Sequence, residues 1–121
     1  MGMSFRELNV WKKGYSLLLK IYEITESFPK EEKCGLRDQI RRSANSIIAN
    51  IAEAQGRYFF ADKCRVLYQS RGECLETQSH LSVAKGLNYI SEKEFQALDK
   101  EYEGLGVGIN YYVSSLRKEN A

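Results

Sequence analysis

Six cations carry the most testable chemistry in this chain: Arg37, Arg41, Arg42, Arg57, Lys63 and Arg65. Guanidinium and ammonium groups donate charge-assisted hydrogen bonds to phosphate oxygens, and contact with a phosphate backbone asks for little else. Arg37 and Arg41 are one helical turn apart, with Arg42 beside them. Together with Arg71, these residues set seven cations against Asp38, Glu53 and Asp62 over the stretch from Arg37 to Arg71, although the whole chain is only +2. Such a face suits RNA or DNA, with binding that weakens in salt and reads little sequence. For one isolated subunit the plainer reading is a solvated helix face with local ion pairs. A ring of copies would repeat the patch and multiply weak contacts through effective concentration.

Other chemistries lack their parts. A di-iron site in a helical bundle needs carboxylates on four helices and two Glu-x-x-His motifs. This chain has one histidine, His80, and Glu76 stands four residues before it. Neither a nucleophile elbow nor a glycine-rich phosphate loop surrounds a candidate nucleophile. Cys34, Cys64 and Cys74 are odd in number and lack C-x-x-C spacing, so reduced thiols are expected and neither a disulfide framework nor a zinc site. The expectation is a non-enzymatic protein with no catalytic residues, metal or cofactor.

Helices must position these side chains. With 43% apolar and 28% charged residues, the composition fits a globular domain, read as one unit over residues 1–121. No apolar run approaches a membrane span and the first residues do not read as a leader, so a cytoplasmic protein is expected. Apolar residues recur every three or four positions in four segments, and strand alternation is absent. The spacing predicts an all-α, up-down four-helix bundle. Helix one stops before Phe28-Pro29. Helix two runs from Cys34 or Gly35 to about Gln55 with Leu36, Ile40, Ala44, Ile47, Ile51 and Ala54 inward, and Gly56 ends it. Helix three spans about Phe59 to Lys85 through Phe60, Cys64, Leu67, Leu75 and Leu81, stopping at Gly86. Ser91 and Glu94 form a capping box that opens helix four, whose inward row is Phe95, Leu98, Tyr102, Leu105, Ile109, Tyr112 and Leu116.

Several features go beyond a single core. Helix one carries two stripes, Leu8, Trp11, Tyr15, Leu18 and Tyr22 beside Val10, Leu17, Ile21, Ile24 and Phe28, and one core needs only one. Trp11, Tyr15 and Tyr22 are therefore expected at an interface or in the core. Ser43, Ser46, Asn50 and Glu53 line a flank of helix two, read as a packing device with Arg71 as the partner of Glu53. Gly104, Gly106 and Gly108 predict a locally weak or kinked last helix, or a close approach of another backbone at Gly104 and Gly108. Tyr58, Phe59 and Phe60 could stack bases, but loop and inter-helix packing is the expected role.

The segments VWKKGYSLLLKIYEITESFPKEE, IRRSANSIIANIAEAQGR, SRGECLETQSHL and GLNYISEKEF, in that order, resemble the bacterial four-helix-bundle proteins encoded within 23S rRNA intervening sequences. The resemblance implies a homopentamer with no established activity and an undefined role. Similar proteins include the accessory subunit of diversity-generating retroelements, which works with nucleic acid. The chain departs from the family in Ala54, where glycine is usual, in Phe59, near a usual capping serine, and in Lys63, where an aromatic is common. The combined expectation is a self-associating protein that binds RNA or other nucleic acid; the competing one is a scaffold that binds a protein partner through exposed apolar helix surfaces.

Overall fold

The computed structural model describes residues 3–120; Met1, Gly2 and Ala121, the ends of the expected 1–121 domain, lie outside the described residues. Four helices form: α1 (Asn9–Thr25), α2 (Leu36–Gly56), α3 (Phe60–Gly86) and α4 (Glu92–Asn120), with 3-10 turns at Phe5–Glu7 and Lys30–Glu32. The class is all-α, with no strand among the described residues.

Local chemistry sets the ends. The Ser91 amide donates to Glu94 Oε1 at 2.8 Å and the Glu94 amide to Ser91 Oγ at 3.0 Å, the reciprocal cap that starts α4. α3 ends at Gly86, yet the left-handed residue that turns the chain is Asn88, with φ of 64°. Asparagine tolerates that region better than other non-glycine residues. α1 stops at Thr25, ahead of Phe28-Pro29, where the Thr25 hydroxyl donates back to the Ile21 carbonyl at 2.7 Å.

The core comes from Leu17, Leu18 and Ile21 of α1, from Phe28 just beyond its end, and from Ile40, Ala44, Ile47, Ile51, Leu67, Leu81, Tyr102, Leu105 and Ile109, all buried. Leu75, expected inside, is 55% exposed and the adjacent Cys74 is buried instead. The inward row of α3 is Leu67, Ser70, Cys74, Thr77 and Leu81, with small polar groups where large apolar ones are usual. The hydroxyls are satisfied: Ser70 Oγ donates to the Ile47 carbonyl at 2.7 Å, and the hydroxyls of Ser43 and Thr77 lie 2.8 Å apart, each also within reach of a carbonyl on its own helix. Small side chains with local acceptors let α2 and α3 approach closely along this seam.

α4 runs unbroken through its three glycines. A side chain at Gly108 would sit 3.4 Å from Val10 on α1, whereas nothing lies within 4 Å of the corresponding point at Gly104. No other backbone comes within 4 Å of either position, so the close backbone approach expected at Gly104 and Gly108 is not made; Gly108 meets only the Val10 side chain. Among the described residues, no helix is long and apolar enough to cross a membrane.

Candidate functional site

Helix α2 carries Arg37, Arg41 and Arg42 in its first two turns, and the bundle draws two of them into ion pairs. Arg41 lies against the end of α1: its Nε donates to Thr25 Oγ1 at 2.9 Å, its Nη2 to the Tyr22 carbonyl at 3.2 Å and to Glu26 Oε2 at 3.1 Å. The same guanidinium sits 4.4 Å from the centroid of the Tyr22 ring. Arg42 crosses to α3 and pairs with Glu76 and, at 3.9 Å, with Glu73. Arg37 is half-buried, with its Nε enclosed and without a hydrogen-bond partner among the described residues.

The remaining cations lie around the turn between α2 and α3. Arg57 pairs with Glu53 one turn back, and Arg65 is 4.0 Å from Asp62. Lys63 donates to the carbonyls of Ala54 and Gln55 at 3.2 and 3.1 Å, and so satisfies orphan acceptors at the end of α2. Lys63 is therefore a C-terminal cap on α2, a role that an aromatic at this position could not fill.

The polar flank differs from its expected form. Ser46 and Asn50 are half-buried. The partner of Glu53 is Arg57, and Arg71 is on the opposite side of α3, lining a cavity of about 50 Å³ with Cys74, Gln78, Tyr102 and Glu103 against α4. The i,i+4 spacing on one helix brings Arg57 to Glu53 without crossing an interface. Beside that cavity, burial pushes the Cys74 thiol up to about 12, and the buried Tyr102 hydroxyl has no hydrogen-bond partner among the described residues.

Sequence reasoning passed over the carboxyl pair Glu73 and Glu76. Burial first, and the neighbouring Glu76 second, push Glu73 above the usual carboxylate range. At Glu76 desolvation also pushes upward, but hydrogen bonds from Glu73, His80 and Arg42 outweigh it and the net direction is down. His80 Nε2 is 3.4 Å from Glu76 Oε1. The folded chain thus favours protonated Glu73, so the stabilising contribution of that proton is present below the ordinary carboxylate range and is lost as pH rises through the raised value. Glu73→Gln, which cannot ionise, is expected to raise the melting temperature near pH ~7, with the gain shrinking toward pH ~4. Thermal melts at the two pH values read this, and an equal effect at both would remove the proton from the account. Among the described residues, no group of three or more His, Cys, Asp or Glu side chains is disposed to hold a metal ion.

The aromatic residues make the other surface. Trp11, half-buried, stacks on Tyr15 with ring centroids 5.1 Å apart and planes 9° apart, and Phe5 meets Trp11 edge-on. Tyr15 and Tyr22 are 44% and 46% exposed, as is Leu19 between them at 52%. Tyr15 and Tyr22 are therefore outside the core. At the α2–α3 turn, Tyr58 and Phe59 are 87% and 65% exposed, and Phe60 alone of the three packs against the core. The expected packing role fails for the first two because they sit in the turn and at the N-cap of α3, before the helix directs side chains inward.

Comparison with known proteins places these features. The family model described as 23S rRNA-intervening sequence protein matches residues 6–111. Among solved structures, a protein of unknown function from the S23 ribosomal protein family of Bacteroides thetaiotaomicron VPI-5482 is similar at a TM-score of 0.79 and 22% identity, over 86% of this chain and 97% of that one. That likeness shows the fold. No curated protein matches.

Proposed function

The chain belongs to the 23S rRNA-intervening sequence protein family, and from that premise we propose that it is a non-enzymatic, cytoplasmic scaffold that self-associates, as a pentamer, through the outer face of α1. The observation that carries this reading is the row Trp11, Tyr15, Leu19 and Tyr22, spaced at i, i+4, i+8 and i+11 and open to solvent at three of its four positions. A continuous apolar stripe on the outside of a bundle that already has a full core is a surface for another chain. The topology proposed beneath it is up-down. Support comes from Arg41 meeting the end of α1, Ser70 meeting Ile47, Gln78 meeting Asp99 and Lys13 pairing with Glu101.

Nucleic-acid binding across the six-cation face is the second reading. Arg41, Arg42, Arg57 and Lys63 already hold carboxylates or carbonyls, so a phosphate there would have to displace an existing partner. The scaffold reading asks for no such exchange. Light scattering at micromolar concentration tests it: a mass of several chains is expected, falling to one chain in Tyr15→Glu/Leu19→Glu with the helical circular dichroism retained. A wild-type chain that stays single at every concentration, or a double variant that keeps the full mass, would overturn it.

A further inference from the structure

A ring of five copies cannot be closed by a surface that meets itself, because a self-complementary contact pairs two chains and stops there. A chain that gives its α1 row to one neighbour therefore needs a second, different surface to receive the row of the other. The seam between α1 and α4 has the shape for it. Three clefts, of about 300, 320 and 340 Å³, follow one another along it: the first beside Ile24 and Ala97, the second over Leu105 and Gly104, the third between Val10 and Tyr111. The second and third share Val10 and Gly108. Between the first and second, Glu101 of α4 pairs with Lys13 of α1. Gly104 keeps the middle open, since nothing lies within 4 Å of the point where its side chain would begin.

Building on self-association through α1, we propose that the α1–α4 seam is the receiving half of the interface, and that its occupant is the Trp11, Tyr15, Leu19 and Tyr22 row of a second copy. Size, length and chemistry select that occupant. A cavity of about 150 Å³ already admits benzene, so each cleft has room for a large side chain of the row. The cavity beside the exposed Leu75 on α3, about 50 Å³, does not. From Trp11 to Tyr22 the row is about 16 Å long, and from Ala97 to Tyr111 the α4 wall runs about 21 Å. The floor is apolar, with Leu98 and Leu105 buried, while the paired Lys13 and Glu101 bring both signs of charge to its edge. A tyrosine, with an apolar ring and a hydroxyl tip, suits both. On α1 the cleft residues Lys13, Lys20 and Ile24 lie on the flank opposite the row. One chain can thus engage two neighbours at once, in the head-to-tail manner that a closed ring requires.

Light scattering of two full-length variants, alone and mixed, tests the pairing. Ala97→Arg/Gly104→Arg fills the clefts and leaves the row intact, whereas Tyr15→Glu/Leu19→Glu breaks the row and leaves the clefts open. Ala97 and Gly104 are both exposed, so the helical circular dichroism should be retained. Each variant alone is expected at the mass of one chain. Their equimolar mixture is expected at the mass of two, because one intact row meets one intact seam and neither free end can extend. Tyr111→Arg, at the third cleft and 73% exposed, should reduce the wild-type mass independently. A cleft-filled variant that keeps the wild-type mass, or a mixture that stays at one chain, would overturn the pairing and leave self-association through the row standing. A wild-type chain that stays single would remove both.

Discussion

Gly14→Ala is expected to destabilise the protein by about 1–2 kcal/mol, although alanine is the better helix former by about 1 kcal/mol. A Cβ at position 14 would lie 2.4 Å from Ile48 Cγ2, with Leu105 at 3.6 Å behind it. Contact at that distance forces movement, and Ile48 cannot supply it cheaply. Its branched Cβ restricts χ1, and the side chain is buried at 6% exposure. Gly104→Ala gives the opposite sign, because no atom lies within 4 Å of its Cβ position and its φ is not positive. There the gain in propensity stands alone, at about 0.5–1 kcal/mol. Urea midpoints for the two single variants read the contrast directly. A cycle with Ile48→Ala isolates the clash, since Gly14→Ala should cost much less once Cγ2 is gone. Equal stabilisation by both glycine substitutions would mean that α1 and α2 are farther apart at Gly14 than the structure has them.

The difference between these two glycines marks what sequence can and cannot convey. The start of α4 was legible because one local device sets it, the Ser91 and Glu94 box, whose partners lie within three residues; Gly56 is instead the last residue of α2, without positive φ, and Arg57 caps the helix. The core of α2 and α4 was legible from the 3.6-residue period. In α3 the period misleads: its buried row includes Ser70, Cys74 and Thr77, so a search for large apolar residues selects Leu75 and misses its buried neighbour. Ser70 and Thr77 are seven residues apart, and that spacing of small hydroxyls was the available signal. The family was legible from its motifs, and the match over residues 6–111 agrees. Least legible were the cations, because their role depends on where a long side chain ends. Arg57 finds its carboxylate at i−4, but Arg41 reaches back 15 to 19 residues across a turn.

Arg41→Ala is accordingly expected to act on stability, with a loss of about 2–3 kcal/mol, the scale of a charge-assisted hydrogen bond lost from a largely enclosed site. Its side chain is 15% exposed, against 77% for its partner Glu26. The salt bridge is therefore the weaker part of the assembly, since Glu26 is readily hydrated. The stronger part is the contact with Thr25 Oγ1, fully buried, and with the Tyr22 carbonyl, an acceptor in the last turn of α1. A positive charge at a helix C-terminus also complements the dipole. One planar guanidinium makes these contacts together while lying against the Tyr22 ring, and an ammonium on a flexible stem cannot reproduce that fork. Arg41→Lys should thus recover less than half of the loss. Adding salt should leave most of the difference in place, because Thr25 and the Tyr22 carbonyl are not screened as a surface ion pair is. Chemical denaturation of the three proteins at low and high salt measures all of this. Arg41→Ala with unaltered stability and a selective loss of oligonucleotide affinity would instead return Arg41 to the phosphate-binding face.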